Sequence, residues 1–384
     1  MTTPRKKIIR PAVMIALLCA PGVVPANEAS AAEQMELDAV HYRKDLFEKV
    51  RIPKIVVARD GSVLAFANSC RLLRRSEDCG ATWSDPQGVA PDGAGNAVVD
   101  DTTGDVLVVC PAKSCLWRSK DHGQTWSREA ITLKPNLIGH GTPDGIPADV
   151  SASESGITLQ RGEHKGRLVM PARIQPPKGT NEQEYWQYNY NTSILSDDGG
   201  KTWQVGEPVQ SGTGEGTLAE LSDGRIYYNS RCHMAVDHRR RIAWSHDGGY
   251  RWVDWQVSDD LFEVGGPFYF KYGSKPSYGC NAGLVRVPYE ATGGTDVLLF
   301  STPDNPGATT PHNGRIRMTV WASFDGAKTW PVKRLVYEGP SIYSSLAADE
   351  KGNVYLLFES GESKLYEKIT FVRLKLEEFT KGFH

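Results

Sequence analysis

The 384-residue chain lacks the marks of a helical protein: no long segment repeats its apolar residues with a clean 3.6 period, which argues against an all-helical fold. Charge of one sign is missing too. The 44 basic and 46 acidic residues leave a formal net charge of −2, so nothing implies a basic surface that would neutralise nucleic-acid phosphates. Cysteine is scarce, at seven, and no histidine stands at zinc-ligand spacing from any of them. The Asp-x-Asp-x-Asp-Gly loop with a later Glu, which holds calcium, is absent. Beyond the first residues no apolar run is long enough to cross a bilayer.

What is present begins with a leader. Arg5, Lys6, Lys7 and Arg10 precede an apolar stretch over 12–24, then small residues with Ala29-Ser30-Ala31 as a cleavage site. Residues 1–32 therefore read as an export signal, and the mature chain is expected in a periplasmic or secreted location. The leader carries four basic residues and one acidic, so its removal takes the formal charge from −2 to −5. Six cysteines remain, and an even number in an exported chain suggests disulfides. Six cysteines allow about fifteen pairings. Local closure would join Cys110 to Cys115 and Cys70 to Cys79, leaving Cys232 with Cys280.

The organising signal is an eight-residue repeat, Ser-x-Asp-x-Gly-x-Thr-Trp, found five times, at 76–83, 119–126, 196–203, 245–252 and 323–330. Arg251 replaces the Thr in the fourth copy and Ala327 the Gly in the fifth. Ser and Asp oxygens can accept hydrogen bonds from N–H groups a few residues on, which locks a bend. The Gly position supplies a backbone conformation that a side chain disfavours. The Trp is large enough to plug the space between neighbouring sheets. Each copy thus reads as a structural turn.

Between the copies lie six hairpin patterns, apolar segments on either side of a Gly-containing turn: 55–67, 97–110, 156–174, 218–229, 284–301 and 346–359. The first five are each followed by one repeat, and the sixth by an extended run over 366–376. The expected fold class is all-β: a six-bladed β-propeller with five such turns, forming a single domain over 33–384. Pairing of strands from both chain ends would close the last blade and remove exposed edges.

The repeat is the Asp box, and further motifs strengthen a resemblance to the bacterial exo-sialidases. Arg51-Ile52-Pro53 and the following strand resemble that family's Arg-Ile-Pro motif. Gly156-Ile157-Thr158-Leu159 with Gly166-Arg167-Leu168-Val169 resembles its third blade, and Glu220 to Arg225 with Asn229-Ser230-Arg231 its fourth. Ser341-Ile342-Tyr343-Ser344-Ser345-Leu346 resembles its tyrosine motif. The resemblance implies that Arg51, Arg231 and Arg315 clamp a substrate carboxylate, with Arg317 the rival for Arg315. Guanidinium suits that task because it stays charged and offers paired donors. It also implies Tyr343 as nucleophile with Glu215 as its proton partner, Glu220 being the rival, and Glu359 as the residue that orients Arg51. A neutral phenol suits an anomeric carbon that bears a carboxylate, where an anionic nucleophile would be repelled. No metal or organic cofactor is implied.

One part departs from the family's pattern. An acid/base Asp is expected between the Arg-Ile-Pro strand and the first box, yet 68–75 holds no Asp or Glu. Asp144 and Asp149 are candidate substitutes, and Asp78 belongs to the box. Two aromatic clusters could line a sugar site or pack as ordinary strands: Tyr185, Trp186, Tyr188 and Tyr190, and Phe268, Tyr269, Phe270, Tyr272 and Tyr278. The expected function is exo-α-sialidase activity on sialylated glycans. The alternatives are hydrolysis of a related nonulosonic or 2-keto-3-deoxy acid, or acidic-sugar binding without turnover.

Overall fold

Each Gly-containing turn joins two antiparallel strands. In the computed structural model the described residues are 40–91, 93–136, 149–176, 188–265, 268–269, 276–309 and 314–381. Among them Lys54–Val57 pairs with Val63–Ala67, Asn96–Val99 with Val106–Cys110, and Ile157–Thr158 with Leu168–Gln175. Thr213–Glu220 pairs with Ile226–Cys232, Gly283–Arg286 with Leu298–Pro303, and the long strand Val332–Ala348 with Asn353–Ser360. The fifth connection differs from a plain turn: a short helix, Tyr289–Thr292, is inserted before Gly293.

The resulting arrangement is all-β and propeller-like. Three four-stranded sheets cover 54–88, 96–130 and 213–262, and a six-stranded sheet covers 132–205. These four stand as separate blades, so the expected six separate blades are not found. The remaining long strands form one seven-stranded sheet. The cause is Val332–Ala348, 17 residues long. It pairs with Ile316–Ser323 as far as Pro340 and, from Ser341 onward, with Asn353–Ser360. One strand serves both neighbours and fuses them. The same sheet ends on Val40–Glu48, which pairs antiparallel with Lys368–Lys375, so the two ends of the described chain meet.

Apolar cores lie between successive sheets. Leu64 and Phe66 pack with Ala97, Val106 and Val108, while Leu107 and Leu116 pack with Met170 and Trp203. Fully burying such a side chain is worth about 1.5–3 kcal/mol. A polar knot joins several sheets: Lys54 Nζ donates to Glu154 Oε2 at 2.7 Å, both side chains nearly fully buried. Glu154 also accepts from Ser345 Oγ and Asn281 Nδ2 at 2.7 and 2.9 Å.

The boxes are turns, as their chemistry demands. In the first, Asp78 accepts from the Thr82 N–H and hydroxyl at 2.8 and 2.6 Å, and Gly80 N–H donates to Ser76 Oγ at 2.8 Å. The Trp83 indole N–H returns to the Gly80 carbonyl at 2.8 Å. Ala327, in the Gly position of the fifth box, takes φ 66°. The cysteine expectations fare worse. No disulfide joins Cys70 to Cys79 or Cys232 to Cys280. The strand Leu72–Ser76 intervenes between the first two, which pack in different apolar clusters. Cys110 and Cys115 sit opposite each other in register. The export signal lies outside the described residues. Among those described, no helix is long and apolar enough to cross a membrane.

Candidate active site

Two irregularities in the strands build the site. Opposite Cys232 and Arg231, the strand Thr213–Glu220 gains a residue at Gly214. Opposite Glu359, both Ile342 and Tyr343 are inserted between the pairs Ser341–Ser360 and Ser344–Phe358. A bulge bends a strand and re-aims a side chain. Here the two bulges carry Glu215 and Tyr343 into contact: the Tyr343 hydroxyl donates to Glu215 Oε1 at 2.7 Å. Close packing explains why glycine flanks Glu215. A Cβ on Gly214 would lie 2.1 Å from His233 Nε2, and one on Gly216 2.2 Å from a Tyr228 ring carbon.

Arg231 joins the pair. Its Nη1 donates to Glu215 Oε2 at 2.5 Å and to the Tyr343 hydroxyl at 3.1 Å. Its Nε donates to the Tyr278 carbonyl and its Nη2 to Ser277 Oγ. Arg51 lies across the Tyr343 ring, with Cζ 5.2 Å from the ring centroid, and Arg315 lies 5.9 Å from the same centroid. Arg51 is gripped by Glu359 through Nε and Nη2 at 3.1 and 3.2 Å. Ile52 holds the motif's bend. It takes φ 63°, a left-handed conformation rare for a β-branched residue, and its N–H donates to Glu359 Oε1 at 2.8 Å. Arg315 donates to the Tyr366 hydroxyl and the Gly279 carbonyl, both at 3.0 Å.

All six expected site residues therefore converge. The rivals lie elsewhere. Glu220 accepts the backbone N–H groups of Gln160 and Arg161, and Arg317 is half-exposed and pairs with Glu338. Burial would raise the Glu215 carboxyl, but Arg231 and then Arg173 outweigh it and hold it well below the usual carboxylate range. Burial, then the Glu215 carboxylate, push the Tyr343 phenol well above its ordinary value, while Arg231 and Arg315 oppose them. Burial, then Arg231, hold His233 well below the ordinary histidine value. The site thus pairs an anionic carboxylate with a neutral phenol that needs help to lose its proton.

The region where an acid/base Asp is expected is a tight turn. Asn68, Ser69 and Cys70 are all left-handed, at φ 54°, 55° and 63°. Asn68 N–H donates to the Arg51 carbonyl at 2.6 Å, and Gly95 N–H to the Ser69 carbonyl at 3.0 Å. Asp149 is exposed and paired in register with Gln175. Asp144 lies outside the described residues, as do Tyr185, Trp186, Phe270 and Tyr272. Tyr188 is exposed. Among the described residues no group of three or more His, Cys, Asp or Glu is placed to hold a metal.

Sequence reasoning missed three neighbours. Arg173 Nη1 stands 4.0 Å from Glu215 Oε1. His233 Nδ1 is hydrogen-bonded with Ser277 Oγ at 2.9 Å. The Tyr366 ring lies under Arg51, 4.0 Å from Cζ. The available signal for Tyr366 was its place in the hairpin that follows Glu359.

The sheets and boxes define a propeller-like protein built on BNR repeats. Residues 110–356 match the family described as BNR repeat-like domain, and the chain belongs to that family. The curated relatives it resembles include bacterial sialidases. A sialidase of Micromonospora viridifaciens is 31% identical, the match covering 90% of this chain and 54% of the relative. A sialidase of Bacteroides fragilis is 25% identical, over 92% of this chain and 67% of the relative. The chain thus spans about half the length of the first relative and two thirds of the second. Among solved structures, the Hadza microbial sialidase Hz136 shares the fold with a TM-score of 0.62 and 24% identity, over 86% of this chain and 66% of that one.

Proposed function

We propose that this protein is an exported exo-α-sialidase that removes terminal sialic acid with retention of anomeric configuration. The observation that carries the reading is the hydrogen bond from the Tyr343 hydroxyl to Glu215 Oε1 at 2.7 Å, with Arg231 bridging both groups. In this reading Arg51, Arg231 and Arg315 hold the sugar carboxylate and Glu359 orients Arg51. Tyr343 Oη attacks the anomeric carbon, the phenol proton passes to Glu215, and the bond to the aglycone oxygen breaks, that oxygen taking a proton from solvent. Water then attacks the same carbon and gives up a proton to solvent, the bond to Tyr343 Oη breaks, the sugar leaves, and Tyr343 recovers its proton from Glu215. Binding itself primes the base. Without substrate, Arg231 stabilises the Glu215 anion. A sugar carboxylate on Arg231 offsets that charge, so Glu215 gains basicity when the proton must move. The seven-stranded sheet counts as two blades about the change of partner at Pro340 and Ser341, giving six.

The test is release of a fluorogenic sialoside. Tyr343→Phe and Glu215→Gln are expected to lower kcat/KM at least about 100-fold, within the range of lost nucleophilic and general-base assistance. Wild-type turnover with a fully active Tyr343→Phe variant overturns the mechanism. A second reading, acidic-sugar binding without turnover, is favoured by one observation: the stretch 68–75, in which the resemblance implies an acid/base Asp, holds no Asp or Glu and forms a tight turn at 68–70. Calorimetric binding of sialic acid with no turnover of any sialoside would establish it.

A further inference from the structure

We infer that Tyr366 is a fourth member of the carboxylate clamp, its ring fixing Arg51 and its hydroxyl donating to the bound carboxylate. The inference rests on the sialidase reading above. Tyr366 lies in the hairpin between Asn353–Ser360 and Lys368–Lys375 and takes φ 68°, a conformation that bulky side chains avoid. The turn that imposes it is tied down from both sides. Lys49 N–H donates to the Glu367 carbonyl at 3.0 Å, and the Glu367 carboxylate accepts the Glu362 N–H at 2.7 Å. Strain of this kind persists where surrounding contacts over-determine it, and it concentrates at ligand clamps.

What the strained turn delivers is a phenol between two clamp arginines. The Arg51 guanidinium is held along one edge by Glu359 and across one face by the Tyr366 ring, 4.0 Å from Cζ. Stacking and a fork of two hydrogen bonds leave that plane little freedom, and its Nη1 amine is the part Glu359 does not take. Arg315 Nη1 donates to the Tyr366 hydroxyl at 3.0 Å. A phenol that accepts in this way still has one O–H to donate. Among the described residues no acceptor is recorded for it. Tyr343 differs, because its O–H is already given to Glu215. A carboxylate held between Arg51 and Arg315 would supply the acceptor that the Tyr366 hydroxyl lacks. The residue therefore does two things: it orients the arginines, and it adds a neutral donor that strengthens the grip without further charge.

The experiment compares Tyr366→Phe, which keeps the ring, with wild type by calorimetry. Two probes are used, the unsaturated sialic acid analogue 2-deoxy-2,3-didehydro-N-acetylneuraminic acid and its methyl ester. Loss of a hydrogen bond to a charged group should weaken the acid roughly 10-fold or more. The ester, which keeps a neutral carbonyl acceptor but no carboxylate charge, should lose clearly less, about 2–5-fold, with an unaltered unfolding midpoint for the variant. Equal affinity of both proteins for the acid overturns the inference, and so does an equal loss for acid and ester, which marks a purely structural effect. Wild type that binds neither probe refutes the sialidase reading, and this inference falls with it. Wild type that binds the acid, with Tyr366→Phe unaffected, refutes this inference alone.

Discussion

Replacing Lys54 by Met should destabilise the protein by an amount its surroundings define. Lys54 and Glu154 are 1% and 3% exposed, and their ion pair is 2.7 Å long. Losing one partner of such a pair strands the other charge in a poor dielectric, at a cost of about 3–5 kcal/mol. Here the stranded group is the Glu154 carboxylate, which keeps three donors: Ser345 Oγ, Asn281 Nδ2 and the Ser155 N–H. Those bonds go on solvating it, so the lower end, about 3 kcal/mol, is expected. For a domain of this size that corresponds to a fall in unfolding midpoint of about 4 °C. The double variant Lys54→Met/Glu154→Gln leaves no buried charge and should recover about half of the loss. Differential scanning calorimetry of wild type, both single variants and the double variant measures the coupling directly. A Lys54→Met midpoint within about 1 °C of wild type would refute the reasoning, since a stranded buried carboxylate cannot be that cheap. The knot also bears on the site, because Lys54 follows Arg51 by three residues and Ser345 follows Tyr343 by two.

Two further outcomes follow from local physics. Ala327→Gly should raise the unfolding midpoint, by about 1 kcal/mol in stability, because Ala327 sits at φ 66° where a Cβ is unfavourable; a lower midpoint would contradict the strain assigned to the fifth box. Arg173→Gln should move the acid limb of the pH profile of kcat/KM upward: Arg231 and then Arg173 offset the effect of burial and lower the Glu215 pKa, so removing Arg173 raises it, and activity that needs ionised Glu215 is lost at higher pH as pH falls. Arg173→Lys, which keeps the charge, should restore the wild-type limb, and identical limbs in all three proteins would exclude electrostatic action of Arg173 through Glu215.

The candidate site was legible where motifs carried it. Arg51, Arg231 and Tyr343 lie in short patterns whose neighbours have tasks of their own, such as the Ile52 N–H that reaches Glu359. Choosing Glu215 over Glu220 was legible only by spacing. The structure supplies the physical difference: Glu215 follows a bulge at Gly214, while Glu220 accepts two backbone N–H groups. Tyr366 and Arg173 were not legible. A lone Tyr in a hairpin and a lone Arg in a strand look like ordinary surface chemistry until their neighbours are known. Blade separation was also beyond sequence, because the fusion depends on one strand changing partners near Pro340 without breaking.

By itself the sequence determined the turns. The hydrogen bonds that close the first box lie within its eight residues, so Ser76, Asp78, Gly80, Thr82 and Trp83 need nothing distant to close. The alternation of such turns with apolar segments then implied an all-β chain. Only the tertiary structure decided the chemistry of the centre. Tyr343 and Glu215 are 128 residues apart, and Arg51 and Glu359 are 308 apart. Contacts at such separations arise from how sheets pack and where strands bulge, and these depend on the whole chain closing on itself.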